Sequence, residues 1–599
     1  MSFFVIKINK LNKYKMTDNI KKKKVELSPN ARLIVEKRYL RKDENEKVIE
    51  EPVDMFRRVA KNIASADEKY GASTEELKKT EDEFFEIMSN LEFLSGMALR
   101  NAGRAMQQLS ACYVLPLEDS MESIFTTLKN AAFLHKTGAG VGYNFSKLRQ
   151  KGGVINTTGG RSSGPISFMK LYNYSTETVV NNATFRRGGN MGILRVDHPD
   201  ILEFITVKSK EKELNNFNIS VSITDEFMKA VKEGTDYAVV NPKTQEEVRR
   251  LDAREVFDLI VKTSWQSAEP GLLFIDRVNE FNTVLKVGEI EATNLCGEQP
   301  LLPYEACNLG SIVLSKMLKN CEGDKMEIDY DKIKATIKLA VHFLDNSVDI
   351  NAYPLPEIEE INLANRKIGL GIMGFASMLY YLGIPYNSEE AVSLSKKLME
   401  FIQKSAREAS SDIAKKRGNF PNYERSTFPE MGYTHMRNAT VTTIAPNGAT
   451  SIIADTSSGV EPVFALVYTR KDIQGIENNT LFEGNPVFEE IAKDNWFYSQ
   501  ELMEKISKGG SVQGVDEVPE KYKKIFVTSH DVSPEWHVKI QAAFQKYTDN
   551  AVSKTVNMSH DATEEDVRKV FMMAFESGCK GVTVYRDRCR DKQVLNINS

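Results

Sequence analysis

Short β-prone runs alternate with helical stretches along most of this chain, and this alternation is the strongest constraint on its fold. From Ala102 onward the helical stretches include Met121 to Lys136, which Gly138 ends, and Ile333 to Val348. Strands that alternate with helices of this length are typical of βαβ units. The pattern predicts an α/β domain built on a largely parallel sheet.

The first hundred residues show a different pattern. Pro52 opens a stretch in which Met55, Val59 and Ile63 recur at helical spacing, and a second helical pattern follows over Leu77 to Leu91. The residues before these stretches are rich in lysine and lack a signal-peptide core. We therefore predict a basic flexible extension over 1–26, a helical region over 27–100 and a large α/β domain over 101–599.

Composition and charge exclude several classes of protein. The 599 residues are 41% hydrophobic and 27% charged, which is ordinary for a globular enzyme. A net charge of -4 provides no general attraction to nucleic acid or anionic membranes, and no apolar run of about 18 residues occurs. Six cysteines are too few for a secreted disulfide scaffold of this size. We expect a cytoplasmic protein with reduced thiols and neither a nucleic-acid nor a membrane partner.

Two cysteines lie close together in the strings Asn294-Leu295-Cys296-Gly297-Glu298 and Ala306-Cys307-Asn308-Leu309-Gly310-Ser311. In an extended segment, the spacing of Asn294, Cys296 and Glu298 puts all three side chains on one face. The apolar residues that follow Glu298 are expected to wall that volume from water. A single cysteine beside a glutamate is more often a core residue than a reactive one. The two strings together reverse that preference and favour thiol chemistry.

With further motifs, these strings make the chain resemble the catalytic subunits of ribonucleotide reductases, and within them the adenosylcobalamin-dependent class II enzymes. The likeness runs from Leu27 to Asp587, and so many matches in order are highly specific. The further motifs are Gln108-Leu109-Ser110-Ala111-Cys112, Ser163-Gly164-Pro165-Ile166-Ser167-Phe168-Met169, Arg186-Arg187-Gly188-Gly189-Asn190-Met191-Gly192, Asp197-His198-Pro199-Asp200 and Ile452-Ile453-Ala454-Asp455-Thr456-Ser457-Ser458-Gly459.

The resemblance implies an α/β fold: a ten-stranded α/β barrel with a central finger loop, preceded by a small helical N-terminal region. It implies that Cys296 on this loop carries a transient thiyl radical. Glu298 would accept the 3′ hydroxyl proton as general base, and Asn294 would hold the neighbouring hydroxyl. Cys112 and Cys307 match the pair of thiols that reduces the substrate and ends as a disulfide. Such a bond needs Cα atoms within roughly 6 Å, so the fold must bring these distant residues together.

A phosphate site is predicted at Pro446-Asn447-Gly448-Ala449-Thr450-Ser451, where small and hydroxyl residues precede the apolar Ile452-Ile453 and predict a helix start. Backbone N–H groups at a helix start hold phosphate without a positive patch. By resemblance, Thr450 and Ser451 contact the substrate phosphate, with Ser110 nearby. Taken alone, the segment is more often an ordinary helix N-cap.

A regulatory site is implied by the resemblance. Asp119, Lys147 and Arg149 match the positions that hold a deoxynucleotide or ATP effector at the dimer edge. A loop over Asn181 to Asn190 matches the loop that reads the substrate base. This loop departs from the family at Asn182 to Phe185, so its base selectivity is not carried over, and a basic solvated turn is the alternative interpretation. Its candidate specificity residues are Arg186, Arg187 and Asn190.

The string Gly369-Leu370-Gly371-Ile372-Met373-Gly374 fits the G-x-G-x-x-G pattern of dinucleotide-binding folds, with Glu389 and Glu390 at a suitable distance. The preceding Asn362 to Lys367 is mostly polar and does not predict the strand that such a motif needs. We interpret the string as a barrel segment.

The residues near the C-terminus indicate how the radical is generated. Class I relatives relay a radical through two adjacent tyrosines there, whereas this chain has Tyr585 followed by Arg586. An arginine cannot carry the radical, so the resemblance favours adenosylcobalamin as the cofactor beside Cys296, with no metal bound by the protein itself. Cys579 and Cys589 lie in a segment that looks structured, and we interpret them as core or surface cysteines.

The predicted activity is reduction of ribonucleotides to 2′-deoxyribonucleotides, and the resemblance favours diphosphates over triphosphates as substrates. The expected partners are this substrate, a deoxynucleotide or ATP effector, a thioredoxin-like or other thiol reductant, and a second copy in a homodimer. Two alternatives stay open: a class I catalytic subunit that needs a separate metal-containing radical subunit, and a non-catalytic nucleotide-binding paralogue. The intact catalytic set argues against the paralogue.

Overall fold

The computed structural model describes residues 25–155, 157–180, 188–209, 213–321, 325–470 and 481–590. Of the predicted basic extension over 1–26, all but the last two residues lie outside the described residues, as do Arg186 and Arg187.

The helices within these ranges are α1 Pro29–Arg38, α2 Pro52–Ala64, α3 Thr74–Ser89, α4 Gly96–Asn101, α5 Met121–Lys136, α6 Pro165–Val180, α7 Ile201–Thr206, α8 Asp225–Glu233, α9 Ala253–Ser267, α10 Ile275–Glu280, α11 Tyr330–Ile350, α12 Pro356–Asn365, α13 Phe375–Leu382, α14 Glu389–Arg417, α15 Gly448–Ile453, α16 Pro486–Asp494, α17 Gln500–Gly509, α18 Glu520–Ile525, α19 Pro534–Gln545 and α20 Glu564–Glu576.

The strands are β1 Phe93–Leu94, β2 Cys112–Val114, β3 Gly140–Asn144, β4 Asn190–Arg195, β5 Phe217–Ile223, β6 Asp236–Val240, β7 Glu247–Asp252, β8 Gly271–Phe274, β9 Ala292–Thr293, β10 Pro300–Leu301, β11 Ala306–Val313, β12 Leu318–Asn320, β13 Met326–Ile328, β14 Ile368–Met373, β15 Val467–Arg470, β16 Leu481–Gly484, β17 Thr555–Met558 and β18 Gly581–Arg586.

The N-terminal region is helical, as its periodicity predicts. α2 begins at Pro52 and buries the three apolar residues that recur at helical spacing. α3 begins with a capping box, in which the side chains of Ser73 and Glu76 each accept a backbone N–H of the other residue. The helix ends at Ser89, so Leu91 lies beyond it with a positive φ of 57°. The boundary near residue 100 stays a prediction.

The α/β part forms a closed barrel from two parallel halves. β2, β3, β4, β5 and β8 run parallel in that order. In the other half, β11 pairs with β14 and β17 pairs with β18, again in parallel. Antiparallel contacts of β11 with β2 and of β18 with β8 join the halves.

Two isolated parallel bridges close the ring: Leu370 pairs with Thr442, and Ile444 pairs with Val552. The central sheet contains ten strands. The predicted α/β barrel with a helical N-terminal region is therefore confirmed. The helix predictions also hold, since α5 has the predicted bounds and α11 contains the stretch from Ile333 to Val348.

A short hairpin of β9 and β10 lies against the inner face of the barrel, and its turn carries Cys296. Gly142 on β3 makes this arrangement possible. A Cβ atom at Gly142 would lie 2.0 Å from the carbonyl oxygen of Thr293 on β9, so the two backbones approach only because one residue has no side chain. This hairpin is the central finger loop that the resemblance implies.

The first five residues of the G-x-G-x-x-G string lie in β14, its last glycine, Gly374, caps the start of α13, and every residue of the strand is buried. β14 pairs along its whole length with β11, so Gly369 and Gly371 lie in the barrel wall. The interpretation as a barrel segment is confirmed.

The helical region packs directly against the barrel. Phe84 on α3 and Phe93 on β1 both place their rings edge-on to Phe343 of α11, with centroids 5.2 and 5.3 Å away. Residues of α2, α3, α11 and β14 belong to one hydrophobic cluster. The two regions therefore share a core.

Within the described ranges, no helix combines the length and the apolar character that a membrane crossing requires. The same residues contain no group of three or more His, Cys, Asp or Glu side chains placed to hold a metal ion.

Candidate active site

Cys112 and Cys307 face each other across neighbouring strands. Cys112 begins β2, Cys307 lies on β11, and the antiparallel register pairs these two residues directly. Residues paired in this way have Cα atoms about 4.5 to 5.5 Å apart, which is within the range that a disulfide spans. Both cysteines are buried. The fold therefore brings together the two thiols that the sequence separates by almost two hundred residues.

The surroundings of Cys307 favour its protonated form. Burial raises the pKa of the Cys307 thiol well above its ordinary value, and the nearby Cys112 raises it further, whereas Lys367 acts in the opposite direction. Its sulfur lies 3.7 Å from the carbonyl oxygen of Asn308 and 3.8 Å from that of Lys367, and its single S–H can donate to either of them. The Cys307 thiol is therefore protonated at neutral pH.

Cys296 lies in the turn between β9 and β10 rather than on an extended strand, so the predicted extended conformation is wrong. The N–H of Gly297 donates to the carbonyl of Asn294 at 3.1 Å, and the N–H of Asn294 donates to the carbonyl of Gln299 at 3.1 Å. Gly297 has a φ of 81°, a backbone conformation that residues with a side chain rarely adopt. Asn294, Cys296 and Glu298 still line one cavity, because the turn directs them to the same side.

The expectation that apolar residues wall Cys296 from water is also wrong, because this side chain is exposed. Leu301 and Leu302 are buried at the base of the hairpin, whereas the thiol projects from its tip. Cys296 borders two cavities, one with Cys112 and Cys307 and one on the side of β18. It is therefore the point at which these cavities meet.

Asn294 and Glu298 are fixed by the barrel wall. The side-chain amide of Asn294 donates to the sulfur of Cys112 at 3.1 Å, and its oxygen accepts the N–H of Gln299 at 2.9 Å. The backbone carbonyl of Glu298 accepts the N–H of Ala551 at 3.0 Å and the hydroxyl of Thr443 at 2.8 Å. The Glu298 side chain is buried beside the cavity. A carboxylate, an amide and three thiols thus surround one volume.

The cysteine cavity has a volume of about 330 Å³ and extends to the predicted phosphate segment. α15 begins at Gly448 with Asn447 as its N-cap, so the predicted helix start is confirmed. Asn447 is itself held by Ser311, whose hydroxyl donates to its side-chain oxygen at 3.0 Å. The members of the segment that line the cavity are Pro446, Asn447, Gly448, Ala449 and Thr450.

Two predicted substrate residues do not line this cavity. The hydroxyl of Ser110 donates to the side-chain oxygen of Asn308 in a buried contact. Ser451 lies 2.9 Å from the hydroxyl of Ser458 and lines a neighbouring cavity instead. Both lie one residue outside the cavity wall, next to Ala111 and Thr450.

The second cavity has a volume of about 350 Å³ and lies between the finger loop and β18. It shares Thr555, Tyr585 and Arg590 with a third cavity of about 550 Å³, so the two are neighbours. Tyr585 faces both, whereas Arg586 places its guanidinium 4.3 Å above the ring of Trp265. The space beside Cys296 is thus larger than either cavity alone.

Sequence reasoning missed the charged residues in the walls of these neighbouring cavities. The ammonium of Lys554 lies 2.5 Å from the Glu461 carboxylate and donates to Nδ1 of His537 at 2.8 Å. Burial lowers the pKa of Lys554, and Glu461 opposes that effect. These residues come from segments up to 93 positions apart and form no motif, so no sequence signal marks them.

The predicted effector residues lie beside one another, before α5 and after β3. Arg149 donates through Nε to Asp119 at 2.8 Å. The ammonium of Lys147 lies 2.8 Å from the carboxylates of both Glu118 and Glu291. Burial lowers the pKa of Lys147, but these two bonds outweigh it and hold the pKa above its ordinary value. Of the candidate specificity residues, Asn190 begins β4, and the two arginines lie outside the described residues.

Comparisons with known proteins agree with this architecture. The family model described as "Ribonucleotide reductase, all-alpha domain" matches residues 25–107, and "Ribonucleotide reductase, barrel domain" matches 110–436 and 429–585. A vitamin B12-dependent ribonucleoside-diphosphate reductase of Thermoplasma acidophilum is 44% identical over 630 aligned positions, which cover 96% of this chain and 81% of the relative. A protein of the same name from Mycobacterium tuberculosis is 43% identical, with the same two coverages of 96% and 81%.

Among solved structures, the alpha subunit of the class Id ribonucleotide reductase of Actinobacillus ureae matches with a TM-score of 0.75. The alignment covers 94% of this chain and 97% of that subunit at 22% identity. At this identity the likeness concerns the fold alone.

Proposed function

The chain belongs to the ribonucleotide reductase family, and from this membership we propose the reaction that its cysteine cavity performs. The protein reduces ribonucleoside diphosphates to 2′-deoxyribonucleoside diphosphates with vitamin B12 as its cofactor, in line with the names of relatives 43% and 44% identical to it. The observation that carries the proposal is the direct pairing of Cys112 with Cys307 in the cavity that Cys296 and Glu298 also line.

The cysteine pair supplies the reducing equivalents. Replacing the 2′ hydroxyl by hydrogen requires two electrons and two protons, and it releases water. Oxidation of two thiols to one disulfide provides both: the C2′–O bond breaks, a C2′–H bond forms, and an S–S bond joins Cys112 to Cys307. The raised pKa of Cys307 supports this role, because the thiol keeps its proton until the reaction uses it. The pair must then be reduced again by an external thiol, and the reducing cytoplasm provides this setting.

Cys296 and its two neighbours act on the ribose. We propose that Cys296, as a thiyl radical, takes the hydrogen from C3′ and returns it after the reduction. Glu298 accepts the proton of the 3′ hydroxyl, and Asn294 holds the 2′ hydroxyl. The contact between Asn294 and Cys112 supports this assignment, because it places the amide beside a sulfur of the reducing pair.

The phosphate groups bind at the start of α15. The resemblance assigns Thr450 and Ser451 to this role, with Ser110 nearby, and the cavity connects the segment to the cysteines. Gly448 has no atom within 4 Å of an added Cβ, so open space adjoins the backbone at this point. A diphosphate there extends its ribose toward Cys296.

The residues beside Cys296 fit a large cofactor. The second cavity, of about 350 Å³, adjoins Cys296, and the third, of about 550 Å³, adjoins the second. Glu269, Lys554 and Tyr585 offer polar groups in their walls, and apolar residues of β8 and β18 complete them. Bound there, adenosylcobalamin supplies the one-electron chemistry that makes the Cys296 radical. The chain's own residues hold the cofactor beside Cys296, whereas the reducing thiols line the cysteine cavity.

The comparisons favour this class II interpretation over the class I alternative. Tyr585 is followed by Arg586, whose guanidinium stacks on Trp265 and cannot carry a radical. The relatives at 43% and 44% identity are named vitamin B12-dependent enzymes.

The protein binds a nucleotide effector, and we propose that it does so at an interface between two copies of the chain. Asp119, Lys147 and Arg149 form the proposed effector site at the start of α5. On the adjoining helices, Phe125 and Phe133 of α5 and Tyr174 of α6 are 47%, 52% and 71% exposed. Large exposed apolar side chains on adjacent helices are typical of protein interfaces. A homodimer through α5 and α6 would cover them.

The test is a reductase assay with cytidine diphosphate, adenosylcobalamin, an effector, and either dithiothreitol or thioredoxin. We expect the unmodified protein to be active in this assay without a second subunit. We expect reductase activity to fall at least about a thousandfold in Cys296→Ser and in Cys307→Ser. Cys321→Ser is the matched control, because this cysteine lies half-exposed next to β12 and should leave activity within about twofold.

Three results would contradict the proposal. Activity that persists in Cys296→Ser would remove the radical assignment. Activity that appears only after addition of a metal-containing radical subunit would establish class I. Nucleotide binding without any reduction would establish a non-catalytic paralogue.

A further inference from the structure

His135 occupies an unusual position between α5 and the strand that follows the predicted specificity loop. It lies in the last turn of α5, and its side chain is 2% exposed. Gly188 packs directly on it: a Cβ atom at Gly188 would lie 2.8 Å from Nδ1 of His135 and 2.6 Å from the carbonyl oxygen of Ala139. The imidazole therefore fits against a backbone that has no room for a side chain.

Both ring nitrogens of His135 face hydrogen-bond acceptors. Nδ1 lies 3.1 Å from the carbonyl oxygen of Ala139, and Nε2 lies 2.9 Å from the side-chain oxygen of Asn190. The orientation of Asn190 is fixed independently. Its NH₂ group donates to the hydroxyl of Thr176 at 2.9 Å and to the carbonyl of Asn216 at 3.2 Å. The Thr176 hydroxyl donates to the carbonyl of Tyr172, so it must accept from Asn190.

A neutral imidazole carries one N–H and satisfies only one of these two acceptors at a time. Burial lowers the pKa of His135 below its ordinary value, although its contacts with Ala139 and Asn190 act in the opposite direction. The ring is therefore neutral at pH 7. Two tautomers follow: one donates to Ala139, and the other donates to Asn190. In each of them the second oxygen faces a nitrogen lone pair and is free to move away.

Each acceptor belongs to a segment that reaches the active site. Ala139 precedes Gly140, which begins β3 and lines the cysteine cavity. Asn190, the second acceptor, follows Gly189, which lines the same cavity. A Cβ atom added at Gly189 would lie 3.0 Å from the side chain of Leu295. Leu295 is the neighbour of Cys296 in the finger loop, and its carbonyl accepts the side-chain N–H of Asn218 at 3.1 Å. A shift of residues 188–190 therefore presses directly on the tip of the finger.

We propose that His135 is a positioning residue for substrate selection, which gives its single ring proton either to Ala139 or to Asn190 and thereby sets residues 188–190 against Leu295. This inference rests on the proposed function and on the family resemblance, which implies that residues 188–190 end the loop that reads the substrate base. It adds a two-state element that joins the C-terminal end of α5 to the finger loop with the radical cysteine.

The first test is substrate selectivity in His135→Phe, which keeps a ring and removes both hydrogen bonds. With two effectors that favour different substrates, the ratio of kcat/KM values measures selection. We expect this ratio to fall at least about fivefold in His135→Phe. Tyr172→Phe is the matched control: its hydroxyl ties α6 to α5 through the carbonyl of Ile124 at 2.6 Å and does not touch Asn190. The ratio should stay within about twofold in this control.

The second test does not require a stable variant. Selective ¹⁵N labelling of the seven histidines reports which ring nitrogen carries the proton, and the signal missing from His135→Asn assigns residue 135. We expect the tautomer of His135 to differ between the protein alone and the protein saturated with effector and substrate. An unchanged tautomer would overturn the inference, as would an unchanged selectivity ratio in active His135→Phe. Absence of any reduction by the unmodified protein would instead count against the proposed function.

Discussion

At the scale of residues, the two thiols of the reducing pair have different surroundings although they face each other. The sulfur of Cys112 accepts an N–H from Asn294, whereas the sulfur of Cys307 faces two carbonyl oxygens. A carbonyl interacts favourably with S–H and unfavourably with a thiolate. The two carbonyl oxygens beside Cys307 therefore favour its S–H form, in the same direction as its burial.

This difference predicts the pH dependence of alkylation at Cys307. Its pKa is raised above 9.0, mainly by burial and next by Cys112, so only a small fraction is thiolate at pH 8. We expect iodoacetamide to modify Cys307 at least about tenfold more slowly than the exposed Cys296 at pH 8, with a rate that still rises between pH 9 and 10. Peptide mass spectrometry measures both sites in one sample.

The unfolded protein is the control for this measurement, because all six cysteines should then react at similar rates. Equal rates at Cys296 and Cys307 in the folded protein at pH 8 would contradict the expected difference.

At the scale of elements, the finger hairpin shows what residue spacing predicts and what it does not. The spacing of Asn294, Cys296 and Glu298 correctly indicated that they serve one cavity. It gave the wrong backbone, because Gly297 with its φ of 81° makes a tight turn where we expected a strand. A glycine between polar residues is a turn signal, and it deserved more weight than the alternation of side chains.

Gly142 is the element-level requirement for this hairpin. Gly142→Ala places a Cβ 2.0 Å from the Thr293 carbonyl oxygen, so the backbone of β3 or of β9 has to shift. We expect a loss of about 1–3 kcal/mol in the free energy of unfolding, and a larger proportional loss of reductase activity because the tip with Cys296 moves. Urea unfolding and the reductase assay measure the two effects.

Gly288→Ala is the matched control, since its Cβ would lie 3.4 Å from Leu302, which is an ordinary contact. It should change stability by less than about 1 kcal/mol. A Gly142→Ala protein as stable and active as this control would show that the finger does not depend on the close approach of β3 and β9.

At the scale of the whole molecule, sequence patterns predicted the layers and not the closure. Alternating strands and helices indicated a parallel α/β sheet, and the family resemblance supplied the barrel. The ring closes through single bridges at Thr442 and Ile444, which lie outside any named strand and carry no periodic signal. The pairing of Cys112 with Cys307 likewise depends on register between distant strands. Such contacts are fixed by the packing of the complete chain, so local patterns do not encode them.

The helical region and the barrel are also joined by a buried ionic network that no motif announced. Asp67, in the short 3-10 helix after α2, contacts Arg417 at the end of α14 and lies 2.9 Å from His342 of α11. Asp349 of α11 lies 2.9 Å from the guanidinium of Arg366. Burial raises the pKa of both carboxyl groups, but hydrogen bonds and positive charges from these partners outweigh it and lower each pKa to about 2.

This network predicts the acid stability of the protein. A carboxyl group whose pKa falls from 3.8 in the unfolded chain to about 2 in the folded protein stabilises the fold above pH 4, and that contribution is lost as the pH falls toward 2. The free energy of unfolding should therefore drop steeply between pH 4 and pH 2. Asp67→Asn removes one partner and leaves Arg417 buried, so it should cost about 3 kcal/mol at pH 7 and make the acid drop shallower. Asp412→Asn is the control, because its ion pair with Lys415 is exposed and should contribute less than about 1 kcal/mol. Urea unfolding of the three proteins from pH 2 to 7 measures both effects, and identical curves for Asp67→Asn and the unmodified protein would show that the network does not join the two regions energetically.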